Sequence, residues 1–267
     1  MGKMQKLKQG FFSFTLKLSD FLRMIYSSLF FTRKCLVCSK RVYLSRLCKS
    51  CASSFMDFAP FGKERCTFCG RRLLSEKKIC SSCRGERILQ STDCVFPLHS
   101  YRLWNKKILF DWKMADERTL TPLFARACDK AIKELLAFEN SIKNPSEVCI
   151  VPIPPRKGKI KKRGWDQIDE LCFYLKNLFG YKIFKGLERL STVQQKKLDR
   201  QQRLAAKGKN YALSKKFYLE KKKNRLPTSV FLIDDLVTTG VTVESAAALL
   251  KAGGIKNVKV ISLFIVD

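Results

Sequence analysis

Eight cysteines between residues 35 and 83 form four pairs, each with two residues between its members. Nine residues separate the first two pairs and ten the last two, so a four-cysteine unit occurs twice. Each such turn presents two thiolates to one ion, and tetrahedral Zn2+ takes four sulfur ligands. The spacing therefore predicts two structural zinc sites, built from Cys35, Cys38, Cys48, Cys51, Cys66, Cys69, Cys80 and Cys83.

Disulfides and a redox pair fit this cysteine pattern less well than zinc does, whereas an iron–sulfur cluster fits it equally well. Disulfides require an oxidising compartment, and no secretory signal is visible. A redox C-x-x-C usually occurs once beside a βαβ unit, rather than four times within 49 residues. An iron–sulfur cluster also takes four cysteines, and spacing does not separate it from zinc. The pairs could join sequentially or cross over, and the matched spacings favour sequential pairing.

A second chemically distinctive string runs from Val230 to Thr242. An apolar run, two adjacent carboxylates and the turn Thr-Thr-Gly-Val-Thr precede an alanine- and leucine-rich segment. The N–H groups of such a turn, with the positive end of a helix, can hold a phosphate. The carboxylates can accept hydrogen bonds from sugar hydroxyls or hold Mg2+. The candidate residues are Asp234, Asp235, Thr238, Thr239, Gly240, Val241 and Thr242.

A cationic loop, with six Lys or Arg residues within 156–163, follows a proline-rich stretch. Mutual repulsion in such a run is offset by an anion, and Arg offers forked donors to phosphate oxygens. We expect the loop to meet a diphosphate. A solvated surface loop is the alternative for the lysines at 159–162 taken singly. The candidate residues are Arg156, Lys157, Arg163 and Gly164.

Strands and helices alternate around these candidates. Strands are predicted over 94–101, 147–153, 229–233 and 257–265, and helices over 104–113, 119–138, 165–179 and 241–252. This alternation implies an α/β fold in which helices flank a parallel sheet and ligands bind beyond the carboxyl ends of its strands. The expected organisation is an N-terminal helix at 1–34, a double zinc-knuckle segment at 35–93 and the α/β domain at 94–267.

The N-terminal segment contains an apolar stretch, Phe11–Phe31. Three charged residues interrupt it, so a membrane-spanning helix is not expected, and no signal-peptide cleavage site follows. Apolar residues at three- and four-residue spacing predict an amphipathic helix that docks on the protein's own body. Peripheral contact with a membrane stays open because the flanks are basic. We expect a cytoplasmic protein.

The chain has 53 Lys plus Arg and 23 Asp plus Glu, a formal charge of +30. A hydrophobic content of 46% excludes disorder for most of its length. Residues 156–225 hold 22 basic and 6 acidic residues, so this stretch carries more than half of the net positive charge of the chain. Such a charge suits nucleic acid, an anionic membrane or a phosphorylated small molecule. Its concentration here, with aromatic residues interleaved, favours single-stranded DNA, although most of these aromatic residues are expected in the core. The candidate DNA-binding residues are Lys159, Lys161, Lys162, Arg200 and Arg203.

The string at 230–242 resembles the phosphoribosyltransferase signature of four apolar residues, two acids and T-T-G-x-T. The resemblance implies a type I phosphoribosyltransferase-like fold that binds phosphoribosyl pyrophosphate together with Mg2+. By position, Asp234 and Asp235 would contact the ribose hydroxyls, and residues 238–242 would cradle the 5′-phosphate.

Further stretches narrow the resemblance to the ComF (ComFC-like) family. They are the cysteine segment, V-P-I-P-P-R at 151–156 with R-G-W-D-Q at 163–167, T-V-Q-Q-K-K-L at 192–198, and Tyr101, Leu103 and Lys113. The family implies a role in DNA uptake during natural transformation, with single-stranded DNA and uptake-machinery proteins as partners. The alternative is an active phosphoribosyltransferase that releases pyrophosphate with an unknown acceptor. No general base stands near the motif, so catalytic residues stay unassigned.

Two positions depart from the family pattern. Trp165 replaces the usual Phe, and Asp166 replaces the usual Asn. A carboxylate beside a pyrophosphate site would repel the ligand, so the sequence leaves the role of Asp166 undetermined.

Removing metal is expected to unfold residues 35–83 first, because this segment has little apolar material of its own. A structural zinc contributes on the order of 10–16 kcal/mol in small metal-dependent domains. Metal content and chelator-induced unfolding would be measured on protein purified under reducing conditions. A protein without stoichiometric metal would contradict the zinc prediction.

Overall fold

A computed structural model describes residues 33–43, 45–62, 64–73, 78–85, 88–141, 144–155, 164–190 and 210–266. The predicted N-terminal helix falls outside these residues, apart from its last two positions. The described chain forms short elements around the cysteines and then alternating strands and helices.

The strands are β1 (Arg33–Lys34), β2 (Arg41–Val42), β3 (Cys94–Ser100), β4 (Cys149–Pro152), β5 (Lys182–Ile183), β6 (Leu187–Arg189), β7 (Tyr211–Leu213), β8 (Ser229–Val237) and β9 (Asn257–Ile265). The α-helices are α1 (Lys49–Met56), α2 (Ser81–Arg84), α3 (Leu103–Met114), α4 (Thr121–Phe138), α5 (Gln167–Phe179), α6 (Lys215–Lys222) and α7 (Val241–Gly253). Single 3-10 turns span Arg118–Leu120 and Pro145–Glu147. Within the described ranges, no helix is both long and apolar enough to cross a bilayer.

Five strands form one parallel sheet in the order β3-β9-β8-β4-β5. Helices cover both faces: Phe231 and Ile233 belong to the core under α4 and α5, and Val230 and Leu232 to the core under α7. Burial on both faces explains why β8 begins as an unbroken apolar run. The predicted α/β fold, a parallel sheet flanked by helices with a cysteine-rich region before it, is confirmed.

One strand continues beyond its predicted end. β8 was expected over 229–233, but its pairing with β9 continues through Asp234 opposite Ser262 and Val237 opposite Ile265. The two carboxylates therefore lie inside the strand rather than after it. The sequence also missed β5, β6, β7 and α6, because two- and three-residue strands and an eight-residue helix carry too little periodicity to recognise.

The second cysteine unit lies directly on β3. The backbone at Gly70 is so close that an added Cβ would fall 1.9 Å from the carbonyl oxygen of Val95. Arg65 reinforces this contact, since its Nη1 donates to the carbonyls of Gly70 and Pro97, both at 2.8 Å. Its guanidinium also lies 4.8 Å from the centroid of the Phe96 ring. One buried cation therefore joins the cysteine segment to the sheet.

The first cysteine unit packs through aromatic rings and ion pairs. Phe55 of α1 is fully buried, and its ring centroid lies 4.2 Å from that of His99 on β3. Burial lowers the pKa of His99 to about 4, so this imidazole is a neutral packing group. Arg33 and Arg46 both pair with Glu117, at 3.1 and 3.3 Å, in the segment between α3 and α4.

Gly70→Ala is expected to lower the free energy of unfolding by about 1–3 kcal/mol, because the new methyl group collides with backbone at a positive φ. Gly85→Ala is the matched control, since its Cβ meets no atom within 4 Å. Urea unfolding of both variants measures the difference. Equal stability of the two would contradict the close docking of the second unit on β3.

Candidate functional site

The connections of the sheet reverse direction between β4 and β8. From β4 the chain passes through α5 to β5 on one side, and from β8 it passes through α7 to β9 on the other. The two strands are joined along their length, and the N–H of Ile153 still donates to the carbonyl of Ile233 at 3.1 Å. The crevice beyond their carboxyl ends is the topological switch point, where open α/β sheets bind ligands.

A buried carboxylate at this crevice brings three elements together. Asp235 on β8 accepts a hydrogen bond from Lys113 Nζ of α3 through Oδ1 and one from Gln167 Nε2 of α5 through Oδ2, both at 2.7 Å. Lys113 and Asp235 also form an ion pair. Both carboxylate oxygens therefore hold neighbouring elements in place.

Asp234, the preceding carboxylate, has a different environment. Its residue is partly exposed, and among the described residues its Oδ1 accepts the backbone N–H of Asp235 at 2.9 Å. Burial of the carboxyl group, followed by the charge of Asp235, raises its pKa to about 8. Asp234 is thus the carboxyl of the pair that has no side-chain donor within the described part of the chain, and a bound cation would favour its ionised form.

The predicted phosphate turn lies at the surface between a buried strand and a helix with a buried face. Thr238, Thr239, Val241 and Thr242 are exposed, and Gly240 has a φ of +87° at the start of α7. A helix of 13 residues leaves its first N–H groups without intrahelical acceptors at that end. The N–H of Val241 makes a long contact with Thr239 Oγ1, at 3.5 Å, that an anion could replace. The turn therefore combines exposed hydroxyls with backbone N–H groups at a helix start, as phosphate binding requires.

The acidic residue in the first turn of α7 is already engaged elsewhere. Glu244 accepts the backbone N–H groups of Gln90 and Ser91, at 2.9 and 3.0 Å. This contact ties the end of the cysteine segment to the helix that carries the phosphate turn. The carboxylate is satisfied by these donors and does not compete with an anion for those of the turn.

Asp166 has a structural role that the sequence did not reveal. Its buried Oδ1 accepts the N–H groups of Ile168 and Asp169, at 3.0 and 3.1 Å, and so caps α5. The amide oxygen of Asn makes the same cap, so the departure from the family pattern preserves the local structure. The cap sets the start of α5, from which Gln167 reaches Asp235.

A polar network that the sequence missed orients the same helix. Trp165 Nε1 donates to Asp116 Oδ1 at 2.8 Å, and the Arg118 guanidinium lies 5.4 Å from the Trp165 ring. Arg118 also pairs with Glu170 of α5 at 2.7 Å. These contacts join distant parts of the chain, and no local pattern in the sequence marks them.

The eight cysteines form two groups of four in sequential order. Cys35, Cys38, Cys48 and Cys51 make one group, Cys66, Cys69, Cys80 and Cys83 make the other, and the sulfur atoms within each lie within 4.8 Å of one another. Sulfur atoms around one zinc ion are about 3.8 Å apart at Zn–S bonds of about 2.3 Å. The separations of Cys38 from Cys48, 3.5 Å, and Cys69 from Cys80, 3.7 Å, match this value. Each group could hold one zinc ion.

The thiols of each group do not ionise alike. Burial raises the pKa of Cys35 and Cys66, but backbone hydrogen bonds outweigh it and lower the pKa to about 6 and about 7. Burial and the neighbouring sulfur atoms raise the pKa of Cys51 to about 12 and of Cys83 to about 11. Four thiolates so close together require a cation, and a divalent metal would supply that charge.

Most of the predicted basic residues lie outside the described residues, so no geometry is assigned to them. Gly164 is described, exposed and at a φ of +75°, and leads into Trp165. The residues outside the described ranges are Arg156, Lys157, Lys159, Lys161, Lys162, Arg163, Arg200 and Arg203.

Fold and site together define an α/β protein with a crevice at the switch point of its sheet and two four-cysteine groups beside the sheet. No protein-family model matches the chain. It is similar to Competence protein F of Haemophilus influenzae, with 24% identity over 234 residues that cover 86% of this chain and 96% of the relative. It is also similar to Competence protein ComFC of Streptococcus pneumoniae, with 25% identity over 222 residues, 82% and 87% of the two chains. Both similarities support the resemblance to the ComF family.

Lys113→Met is expected to lower the free energy of unfolding by about 1.5–3 kcal/mol, because it removes a charged donor from the buried Asp235 carboxylate. Lys106→Met, at an exposed lysine of the same helix, is the control and should change stability by less than about 0.5 kcal/mol. Urea unfolding at neutral pH compares them. A loss of the same size in both variants would show that the contact with Asp235 contributes little.

Proposed function

We propose that this chain is a ComF-type competence protein that handles DNA during its uptake, and that its switch-point crevice binds phosphoribosyl pyrophosphate or a similar sugar phosphate. The observation that carries the crevice assignment is the contact of Asp235 with Lys113 and Gln167. This contact joins three of the stretches that resemble the family: the one with Tyr101 and Lys113, R-G-W-D-Q at 163–167, and the acidic pair.

The class of ligand is inferred from the chemical groups around Asp235. The exposed turn at 238–242 suits a phosphate, and Asp234 is the carboxyl left to accept sugar hydroxyls. The cationic loop follows β4, the other strand of the crevice, and so begins on the side where a diphosphate would extend. Mg2+ would neutralise part of the diphosphate charge and fits the oxygen ligands of such a site.

The role in DNA uptake has separate support. Two relatives that align over most of this chain are named competence proteins. Residues 156–225 carry a surplus of positive charge that a small sugar phosphate does not require. Single-stranded DNA, with its repeated phosphates and open bases, is the partner that we propose for this charge.

The crevice is tested by titrating phosphoribosyl pyrophosphate, with and without Mg2+, into wild type and two threonine variants. Thr239→Glu places a negative charge in the phosphate turn and should weaken binding at least about tenfold through charge repulsion. Thr228→Glu makes the same change at an exposed threonine before the opposite end of β8 and should leave the affinity unchanged.

The outcomes separate the candidate functions. Wild type that does not bind the ligand, or equal binding by both variants, would refute the crevice assignment. Pyrophosphate release in the presence of bases or amines, abolished in Asp234→Ala, would instead identify an active phosphoribosyltransferase. Affinity for single-stranded DNA, measured on the same preparation, tests the DNA-handling role independently.

A further inference from the structure

The helix α6 presents an outward stripe that the sequence analysis did not single out. Lys215 precedes Tyr218 and Leu219 by three and four residues, and Lys222 follows them by four and three residues, which is the spacing of one helical face. All four side chains are exposed. Tyr218 is 58% exposed and Leu219 59%. The stripe is therefore an aromatic and an aliphatic side chain with a lysine on each side.

The opposite face of α6 anchors the helix firmly. Phe217 is fully buried, stacks on Phe184 at a centroid distance of 5.9 Å, and lies so close to α7 that a Cβ on Gly253 would fall 2.5 Å from its ring. Ser214 caps the helix by accepting the N–H of Phe217, and its hydroxyl donates to the carbonyl of Lys185. The exposed side chains are therefore carried by a helix whose position is held by packing and capping.

The charge on α6 and in the residues that follow it is strongly positive. Residues 215–225 hold six bases and one acid, Glu220. None of the six forms an ion pair with a carboxylate of the described residues, so their charge is not neutralised within that part of the chain. Exposed cations concentrated without counter-charges favour an anionic partner.

We propose that the outer face of α6 binds single-stranded nucleic acid, with a base stacked on Tyr218 and phosphates held by Lys215, Lys222 and the lysines beside them. This inference rests on the proposed DNA-handling function and gives it a contact surface. Aromatic rings between cations are the arrangement by which proteins hold single strands without reading their sequence.

The composition of the stripe distinguishes this partner from two others. A duplex hides the faces of its bases, so it would leave the Tyr218 ring without a stacking partner. A membrane-surface helix needs a broad apolar face, but α6 uses Phe217 inside the protein and leaves two apolar side chains outside. Repeated phosphates together with accessible bases match both the lysines and the tyrosine.

This surface is separate from the sugar-phosphate crevice. α6 packs against Gly253 at the end of α7, whereas the phosphate turn lies at the beginning of that helix. A helix of 13 residues is about 20 Å long. Phosphoribosyl pyrophosphate should therefore not displace a strand bound on α6.

Fluorescence anisotropy with a labelled oligothymidylate, over a range of salt concentrations, tests the surface. Lys215→Gln/Lys222→Gln should weaken binding and reduce the slope of log K against log salt by about 1.4, since each phosphate contact contributes about 0.7. Tyr218→Ala should weaken binding roughly five- to 150-fold, and Tyr218→Phe should restore it, because stacking needs only the ring.

Matched controls lie on other helices. Lys106→Gln/Lys107→Gln removes two exposed lysines of α3, and Phe173→Ala removes a 41% exposed aromatic ring of α5. Both should bind the oligonucleotide as wild type does. Circular dichroism checks that every variant is folded.

The possible outcomes distinguish the α6 surface, the DNA-handling role and the sugar-phosphate crevice from one another. Wild-type binding with no loss in the α6 variants would overturn the proposed surface and leave the DNA-handling function standing. Absence of wild-type binding would overturn both the surface and the DNA-handling role, but not the sugar-phosphate crevice. If the α6 variants lose affinity for vesicles containing phosphatidylserine and not for the oligonucleotide, the surface is a membrane contact and the proposal is wrong.

Discussion

The architecture of the switch-point crevice depends on one buried carboxylate. Asp235 lies on a central strand, where its charge must be compensated by partners, since a buried charge without them is strongly destabilising. Its partners, Lys113 and Gln167, come from helices on different segments of the chain. Satisfying this carboxylate therefore fixes α3 and α5 against the end of β8, and leaves Asp234 and the adjoining turn facing the crevice.

A second constraint is the small size of the cysteine segment. Two groups of four sulfur atoms need a cation to ionise together, and the segment has few apolar residues with which to build its own core. Its aromatic residues are instead shared with the α/β core, and Arg65 carries hydrogen bonds from it to β3. Bound metal and packing on the sheet would therefore stabilise the same segment.

The distribution of charge suits the two different anions that we propose as ligands. At the crevice, cations are few among the described residues and are committed, as Lys113 is to Asp235. On α6 the lysines are many and have no carboxylate partners among the described residues. A single sugar phosphate is suited to backbone donors at a helix start, whereas a long polyanion is suited to spaced mobile cations. The chain places these two environments at opposite ends of α7.

The sequence by itself determined the α/β class, the four longest strands and four longest helices to within about four residues, and the cysteines that form the two groups. It also marked the turn at 238–242 that we propose as a phosphate site. These features are local: periodicity, capping and ligand spacing act over a few residues. Tertiary structure alone decided that the cysteines group sequentially, that β8 continues past Asp235, and that Asp166 caps α5. It also decided that Lys113 meets Asp235, because that contact joins residues 122 positions apart and arises only when the sheet and its helices assemble.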